Sequence, residues 1–263
     1  MAAFRPVRAL QRGLDVLRLL NEESPRTATT LARDTKLPQP TVVRILETLI
    51  ASGYVYKNKD TSEFAVTARV LSLSQGYDAG SRLVQLAQPL IEQLRSAIGW
   101  PSNLAVYLDS EAAMSIAYTN RSAMGLSVPG RLGARLPLLV TGVGRVLLAS
   151  VTEEKRAQIF GQLKKSKSLW DTDPQFWQGL DEILAETRSR GYAFADQSYL
   201  DDIYDSRIWA VAVPITVKGE VTAAISTLIL QGTGPRDKIV GRVLPRLRKT
   251  ADEIGRQLGK EQP

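Results

Sequence analysis

Apolar positions recur with helical spacing from the start of the chain. Leu10, Leu14, Leu17 and Leu20 share one side of a helix predicted over Ala9 to Leu20, enough to close a small helical core. A short helix is expected from Ala28 to Asp34 with Thr27 as its cap, and Pro38 ends it by driving Leu37 out of the helical region. Pro40 suits the first turn of a further helix, where a missing N–H costs nothing. On that helix Val42, Val43, Leu46, Leu49 and Ile50 form an apolar stripe, and Gln39, Thr41, Arg44, Glu47 and Thr48 take the opposite face. Gly53 stops it. The pattern then changes period: Tyr54 to Tyr56 and Glu63 to Val66 are β-prone runs around a polar turn, a hairpin expected to carry Lys57 and Lys59 at its tip.

A short helix, a tight turn and a second helix with polar and basic residues at its start form the arrangement that reads the DNA major groove. A basic hairpin directly after it is a wing, which lies along the sugar-phosphate backbone. Residues 1–66 are therefore read as a winged helix-turn-helix domain whose partner is double-stranded operator DNA. Gln39 can pair with adenine, Thr41 can meet a thymine methyl or a phosphate, and Arg44 suits guanine or phosphate. Lys57 and Lys59 in the wing, with Arg5 and Arg8 in the N-terminal arm, are the expected backbone contacts.

Past the hairpin, residues 67–79 read as a linker helix interrupted by Gly76, and residues 80–263 as a second domain. Leu83 to Ile98 is a long amphipathic helix, with a kink expected near Pro89. Asn103 to Leu108 and Ala112 to Tyr118 are predicted strands, with a short one over Leu126 to Val128 and an irregular loop over Arg131 to Thr141. Helices are expected from Gly142 to Ser150, from Thr152 to Leu163 and from Asp173 to Arg190, where Gly191 ends the last. Ile208 to Val217 and Val221 to Leu230 read as a strand hairpin, and Pro235 to Leu258 as a closing helix interrupted at Pro245. Helices packed on a mixed antiparallel sheet make this an α+β sensor domain.

Composition narrows the function classes. With 263 residues the chain can form a small domain and a larger one, each with its own core. The net charge of +7 suits a polyanionic partner. Residues 1–70 carry 11 Lys and Arg against 7 Asp and Glu, the remainder 23 against 20, so the excess is denser in the smaller domain. There is no cysteine and no histidine, which removes disulfide scaffolds, zinc fingers, thiol nucleophiles and histidine bases. No cofactor is expected. Neither a signal-peptide pattern nor a long apolar run is present, and the protein is expected in the cytoplasm. An enzyme carrying a nucleic-acid-binding module is the competing class. It would need a positioned nucleophile and base, and none is found; Asp201, Asp202 and Asp205 form a carboxylate cluster that would have to hold a metal, on a stretch read as a solvated loop. A nucleoid or RNA-binding protein has no use for a large sensor-like domain.

Four stretches in this order, ALQRGLDVLRLL, LPQPTVVRILETLIASGYV, PGRLGARLPLLVTGVGRVLLAS and YAFADQ with WAVAVPITV, resemble the IclR family of bacterial transcriptional regulators. The resemblance runs from about residue 7 to residue 255. It implies a GAF-like effector-binding second domain and a homo-oligomer, either dimer or tetramer. It also implies that the small-residue loop Gly142-Val143-Gly144, an acidic position at Asp196, and Ala210, Ser226 and Leu228 line the effector cavity. The exposed N–H groups at the start of the Gly142 helix suit a carboxylate on physical grounds as well. Ala210 stands where several members have cysteine and Leu228 where many have serine, and ADQSYLDDIYD is about five residues longer than the usual run. The branch with this insertion looks most like regulators of aromatic-acid catabolism. Alanine and leucine make the cavity more apolar, so a small organic acid with an aromatic body is the expected effector.

Overall fold

The structure is a computed structural model, and it describes residues 6–74, 82–121, 132–166 and 168–261. The chain divides into two compact units, residues 1–78 and 79–263.

The first unit packs helices α1 (Arg8–Glu22), α2 (Ala28–Thr35) and α3 (Gln39–Ala51) with a hairpin of β1 (Val55–Lys57) and β2 (Phe64–Val66). Thr27 caps α2 by accepting a hydrogen bond from the Thr30 N–H, as its sequence position implies. Lys36 then takes the left-handed conformation and turns the chain toward α3. The core consists of Val16, Leu20, Leu31, Val42, Leu46, Val55 and Phe64. Two stripes differ from expectation. On α1 the buried residues are Val16 and Leu20, whereas Leu10 and Leu14 face solvent, because the first turns run past the core that α2 and α3 supply. On α3 Ile45 packs beside Val42, Leu46 and Leu49, while Ile50 turns outward. Arg26 adds a bridge to the hairpin: its N–H donates to the Phe64 carbonyl at 2.9 Å, and the Phe64 N–H returns a bond at 2.8 Å. The Arg26 side chain is paired with Asp34 at the end of α2. After the hairpin, Ala68–Ser74 is a 3-10 helix rather than the start of an α-helix; residues 75–79 of the expected linker helix lie outside the described residues.

The second unit is built on an antiparallel sheet of order β5-β4-β3-β8-β7-β6. Its strands are β3 (Ser102–Leu108), β4 (Ala113–Thr119), β5 (Arg135–Leu136), β6 (Ala193–Phe194), β7 (Ile208–Val217) and β8 (Glu220–Leu230). Around it lie α4 (Arg82–Ile98), α5 (Gly142–Ser150), α6 (Glu153–Leu163), α7 (Leu169–Thr172), α8 (Leu180–Arg190), α9 (Gln197–Tyr204) and α10 (Arg236–Glu261). Register pairs Ala210 with Leu228, Ala212 with Ser226, Ser226 with Asn103, and Asn103 with Thr119. Side chains alternate along a strand, so these residues share one face. That face belongs to α5: a Cβ on Gly142 would meet Ala212 Cβ at 3.2 Å and the Ala193 carbonyl at 3.0 Å. The other face packs on α4 and α10. Tyr118 there donates to Glu92 of α4, and Asn120 donates to the Ile91 carbonyl at 3.1 Å.

Several elements differ from the sequence reading. Arg135–Leu136 is a strand rather than loop, because Leu136 pairs with Met114 at the sheet edge. Asp173 caps a 3-10 turn at Pro174–Phe176, and Gly179, in the left-handed conformation, starts α8 separately. Residues 197–204 form α9, so Asp201 and Asp202 lie on a helix and Asp205 ends it, where a solvated loop was expected. Pro245 does not break α10, and α4 also continues through Pro89. The strand expected over 126–128 lies outside the described residues. No helix among the described residues is long and apolar enough to cross a membrane.

The seat of α5 generates a stability prediction. A Cβ on Gly144 would collide with the Leu138 backbone, whereas one on Gly161, exposed on α6, meets nothing within 4 Å. Gly144→Ala should lower unfolding free energy by about 1–3 kcal/mol in urea titrations. Gly161→Ala should leave it unchanged or raise it by up to about 1 kcal/mol.

Candidate DNA-reading face and effector site

In the first unit, α3 turns its apolar side to the core and leaves Gln39 and Arg44 exposed, with Thr41 half-buried between them. Gln39 Nε2 donates to Thr29 Oγ1 at 3.3 Å, which ties the start of α3 back to α2. The Arg44 side chain stands out from the middle of the helix, and its carbonyl accepts from Thr48. Lys59 is at the exposed hairpin turn. Lys57 is not at the tip: it lies in β1 opposite Phe64, with its ammonium 5.7 Å from that ring. The strand extends one residue further than the alternation suggested, because the Arg26 bridge holds Phe64 in register. Arg8 opens α1 and is exposed; Arg5 lies outside the described residues.

In the second unit, the start of α5 sits over the shared sheet face. Thr141 caps the helix by accepting from the Gly144 N–H at 3.1 Å. Gly142 and Val143 are buried against the sheet. The face below them is made of small side chains, among them Ala193, Ala210, Ala212, Ala105 and Ala224, with Leu228 at one end. Two polar residues interrupt it side by side. Asn103 is 4% exposed and Ser226 is 6% exposed. The Asn103 Oδ1 atom is buried with no hydrogen-bond partner. Sequence reasoning missed Asn103; its only signal was one amide at the start of the strand run SNLAVYL.

Asp196 is not free to meet a ligand as a bare carboxylate. It caps α9 through Ser198, and Arg145 of α5 bonds it at 2.9 Å. Arg145 also donates to the carbonyls of Leu139 at 2.8 Å and Phe194 at 3.2 Å, fastening α5, the chain before it and β6 together. Burial pushes the Asp196 carboxyl up, but bonds from Ser198 and Arg145 outweigh it and hold the group below its ordinary value. Burial in turn lowers Arg145. Arg145 was also missed, since a lone arginine in GVGRVLLAS reads as a solvated position. At the far side of the sheet, Arg121 Nε reaches Thr119 Oγ1 at 3.4 Å, and burial lowers its guanidinium too.

Thus Gly142, Val143, Ala210, Ser226 and Leu228 are brought to one place, Asp196 lies beside them in an ion pair, and Gly144 is a packing residue. Two surface clefts of the unit, about 420 Å³ beside Thr187 and about 460 Å³ beside Glu92, are lined by none of these residues. The Asp201, Asp202 and Asp205 carboxylates do not converge. Asp201 is engaged by Gln197 at 2.7 Å, and no group of three potential metal ligands occurs among the described residues.

A family model described as "Bacterial transcriptional regulator IclR C-terminal" matches residues 76–256, and one described as "IclR helix-turn-helix domain" matches residues 9–59. The chain belongs to the IclR family. An IclR regulator is a DNA-binding transcription factor, so the enzyme reading falls away. The chain is 28% identical to the Pca regulon regulatory protein of Pseudomonas putida over 254 residues, covering 95% of this chain and 84% of that one. Two solved structures share the fold. An IclR family transcriptional regulator from Brucella abortus gives a TM-score of 0.71 at 24% identity, covering 97% of this chain and 93% of that one. An IclR homolog complexed with 4-hydroxybenzoate, from Microbacterium hydrocarbonoxydans, gives 0.65 at 24% identity, covering 96% and 100%.

The ion pair at α5 predicts a pH effect. The folded carboxyl of Asp196 lies below its unfolded value near 3.8, so its contribution is present above that pH and is lost as pH falls through the lower folded value. Asp196→Asn should therefore be less stable than the wild type at pH 7, and the difference in urea midpoint should shrink steadily below about pH 4.

Proposed function

We propose that the protein controls a catabolic operon in the cytoplasm by binding operator DNA as a homo-oligomer and changing its affinity when a small, apolar-bodied organic acid occupies the α5 face. The observation that carries the DNA half is the exposed polar side of α3 above a sealed core. Arg44 and Gln39 read base edges, Thr41 meets a thymine methyl or a phosphate, and Lys57, Lys59, Arg8 and Arg5 meet the backbone. What supports the effector half is the polar pair Asn103 and Ser226 buried in a wall of alanines. The ring of the acid packs on Ala210 and Leu228. Its carboxylate takes the N–H groups of Gly142 and Val143, with Asp196 neutralised by Arg145. An acid that prefers one arrangement of the oligomer shifts operator affinity by the ratio of its affinities for the two states. The relative named for the Pca regulon is consistent with control of a catabolic operon.

A second copy of the chain is the partner that best suits the first turns of α1. Val7, Leu10 and Leu14 are 66%, 61% and 56% exposed. Their spacing sets them on one helix side, and a two-fold operator requires two reading units.

Arg44→Ala should weaken operator binding by roughly 1–3 kcal/mol in fluorescence anisotropy, with loss of discrimination at one base position. Lys59→Ala should cost less, act alike on all sequences and reduce the salt slope. Equal affinities for wild type and both variants would remove this assignment.

Leu10→Glu with Leu14→Glu should shift the sedimentation profile of the protein toward 28.9 kDa at micromolar concentration. A wild type that sediments only as that species would overturn the oligomer.

A further inference from the structure

Ser102, Asn103 and Leu104 alternate across β3, and the two polar neighbours meet opposite fates. Ser102 faces away from α5 and closes a hydroxyl pair with Thr227 at 3.0 Å. Asn103 faces the α5 side and closes nothing with its carboxamide oxygen. On one flank of it stands Thr119, whose hydroxyl accepts from the Arg121 backbone N–H at 3.3 Å and makes no bond to the Asn103 oxygen. On the other stands Ser226, directly opposite in register. A buried acceptor without a donor is costly, and a ligand that brings a donor removes that cost.

We propose that Asn103, with Ser226 beside it, is the specificity-determining residue that reads a hydroxyl group on the effector. This rests on the effector site proposed above and names the class of acid it takes: one carrying a hydroxyl separate from its carboxylate. The chemistry follows from the donor inventory. A carboxylate meets the Asn103 oxygen as acceptor against acceptor. An apolar ring edge leaves the oxygen unmet and seals it from water. A hydroxyl donates to Asn103 while accepting from the Ser226 hydroxyl, and it satisfies the carboxamide whichever end is presented. The neighbouring alanines at 210, 212 and 105 offer no competing polar group. The Thr227–Ser102 pair is turned to the other face. On this side the Asn103 oxygen is open beside Ser226, and the other unpaired polar atom of β3, the Tyr107 hydroxyl, lies four residues further along the strand.

The test is calorimetry on the full chain with benzoate, 3-hydroxybenzoate and 4-hydroxybenzoate. Wild type should bind at least one hydroxybenzoate about 10-fold or more tighter than benzoate, as expected when a site's polar group is otherwise left unpaired. Asn103→Leu, of similar volume, should bring the ratio to within about 2-fold and leave the unliganded melting temperature unchanged or higher. Ser226→Ala should reduce the ratio in the same direction by a smaller factor. A ratio retained in Asn103→Leu, or a wild type that binds benzoate as well as both hydroxy acids, overturns the proposal; so does a fall of several degrees in the unliganded melting temperature of Asn103→Leu. Ala210→Trp separates the two levels. If it abolishes binding of all three acids while Asn103→Leu keeps the preference, only the hydroxyl reading is lost. If it leaves binding intact, or if the wild type binds none of the three, the effector site is misplaced and the hydroxyl reading falls with it.

Discussion

The close seat of α5 on the sheet governs the second unit. Gly144 lies against the Leu138 backbone, and Gly142 fits over Ala212 and Ala193. Any larger side chain at those positions would lift the helix and move its N-terminal N–H groups away from the face they cover. Arg145 then fixes the helix in place, because its guanidinium reaches two carbonyls and one carboxylate from two distant parts of the chain, Leu139 before the helix and Phe194 with Asp196 after it. Glycine supplies the distance and arginine supplies the direction. Thr141 completes the arrangement by taking the Gly144 N–H, which leaves the earlier N–H groups of the helix uncapped by that hydroxyl.

The alanine wall follows from the same constraint. A helix that approaches this closely needs small residues beneath it, and Ala105, Ala193, Ala210, Ala212 and Ala224 provide them. Small residues also leave a sheet face with little of its own to pack where the helix does not reach. In that setting the Asn103 oxygen, like the Tyr107 hydroxyl further along β3, is a buried polar atom whose needs the described structure does not meet. On the effector site proposed above, packing and recognition draw on one set of positions. A change made for one will be felt by the other.

Much of this was legible in the chain because long elements carry strong periodic signals. The three helices of the first unit, the hairpin after them, α4, α5 and the β7–β8 hairpin all repeat apolar residues often enough to declare their type. Thr27 and Gly191 marked their boundaries by cap chemistry alone. What failed was short or decided from a distance. β5 and β6 have two residues each, too few for any period, and exist because β4 and β7 offer free edges. The short helix α9 interrupts a run of aspartates that reads as loop, and it forms because Tyr199, Leu200 and Tyr204 have a core to enter. Leu10 and Leu14 fit a core stripe by spacing, and no count of spacing reveals that α2 and α3 stop short of them. Asn103 and Arg145 were missed for a related reason: the partners that give each its meaning are distant in sequence.

Arg26 shapes how the first unit can meet a duplex. Its backbone makes the hairpin a three-part ribbon, and its side chain ties that ribbon to Asp34 at the end of α2. The hairpin is thus fastened to the helical pair at its base as well as through the chain that follows α3. A wing held this way does not have to be immobilised when DNA arrives, so little conformational entropy is spent on ordering it. It also behaves as a fixed gauge: the offset between groove and backbone is set before contact, and a duplex whose width departs from that offset must deform to fit. Sequence preference can then extend to base pairs that no side chain touches.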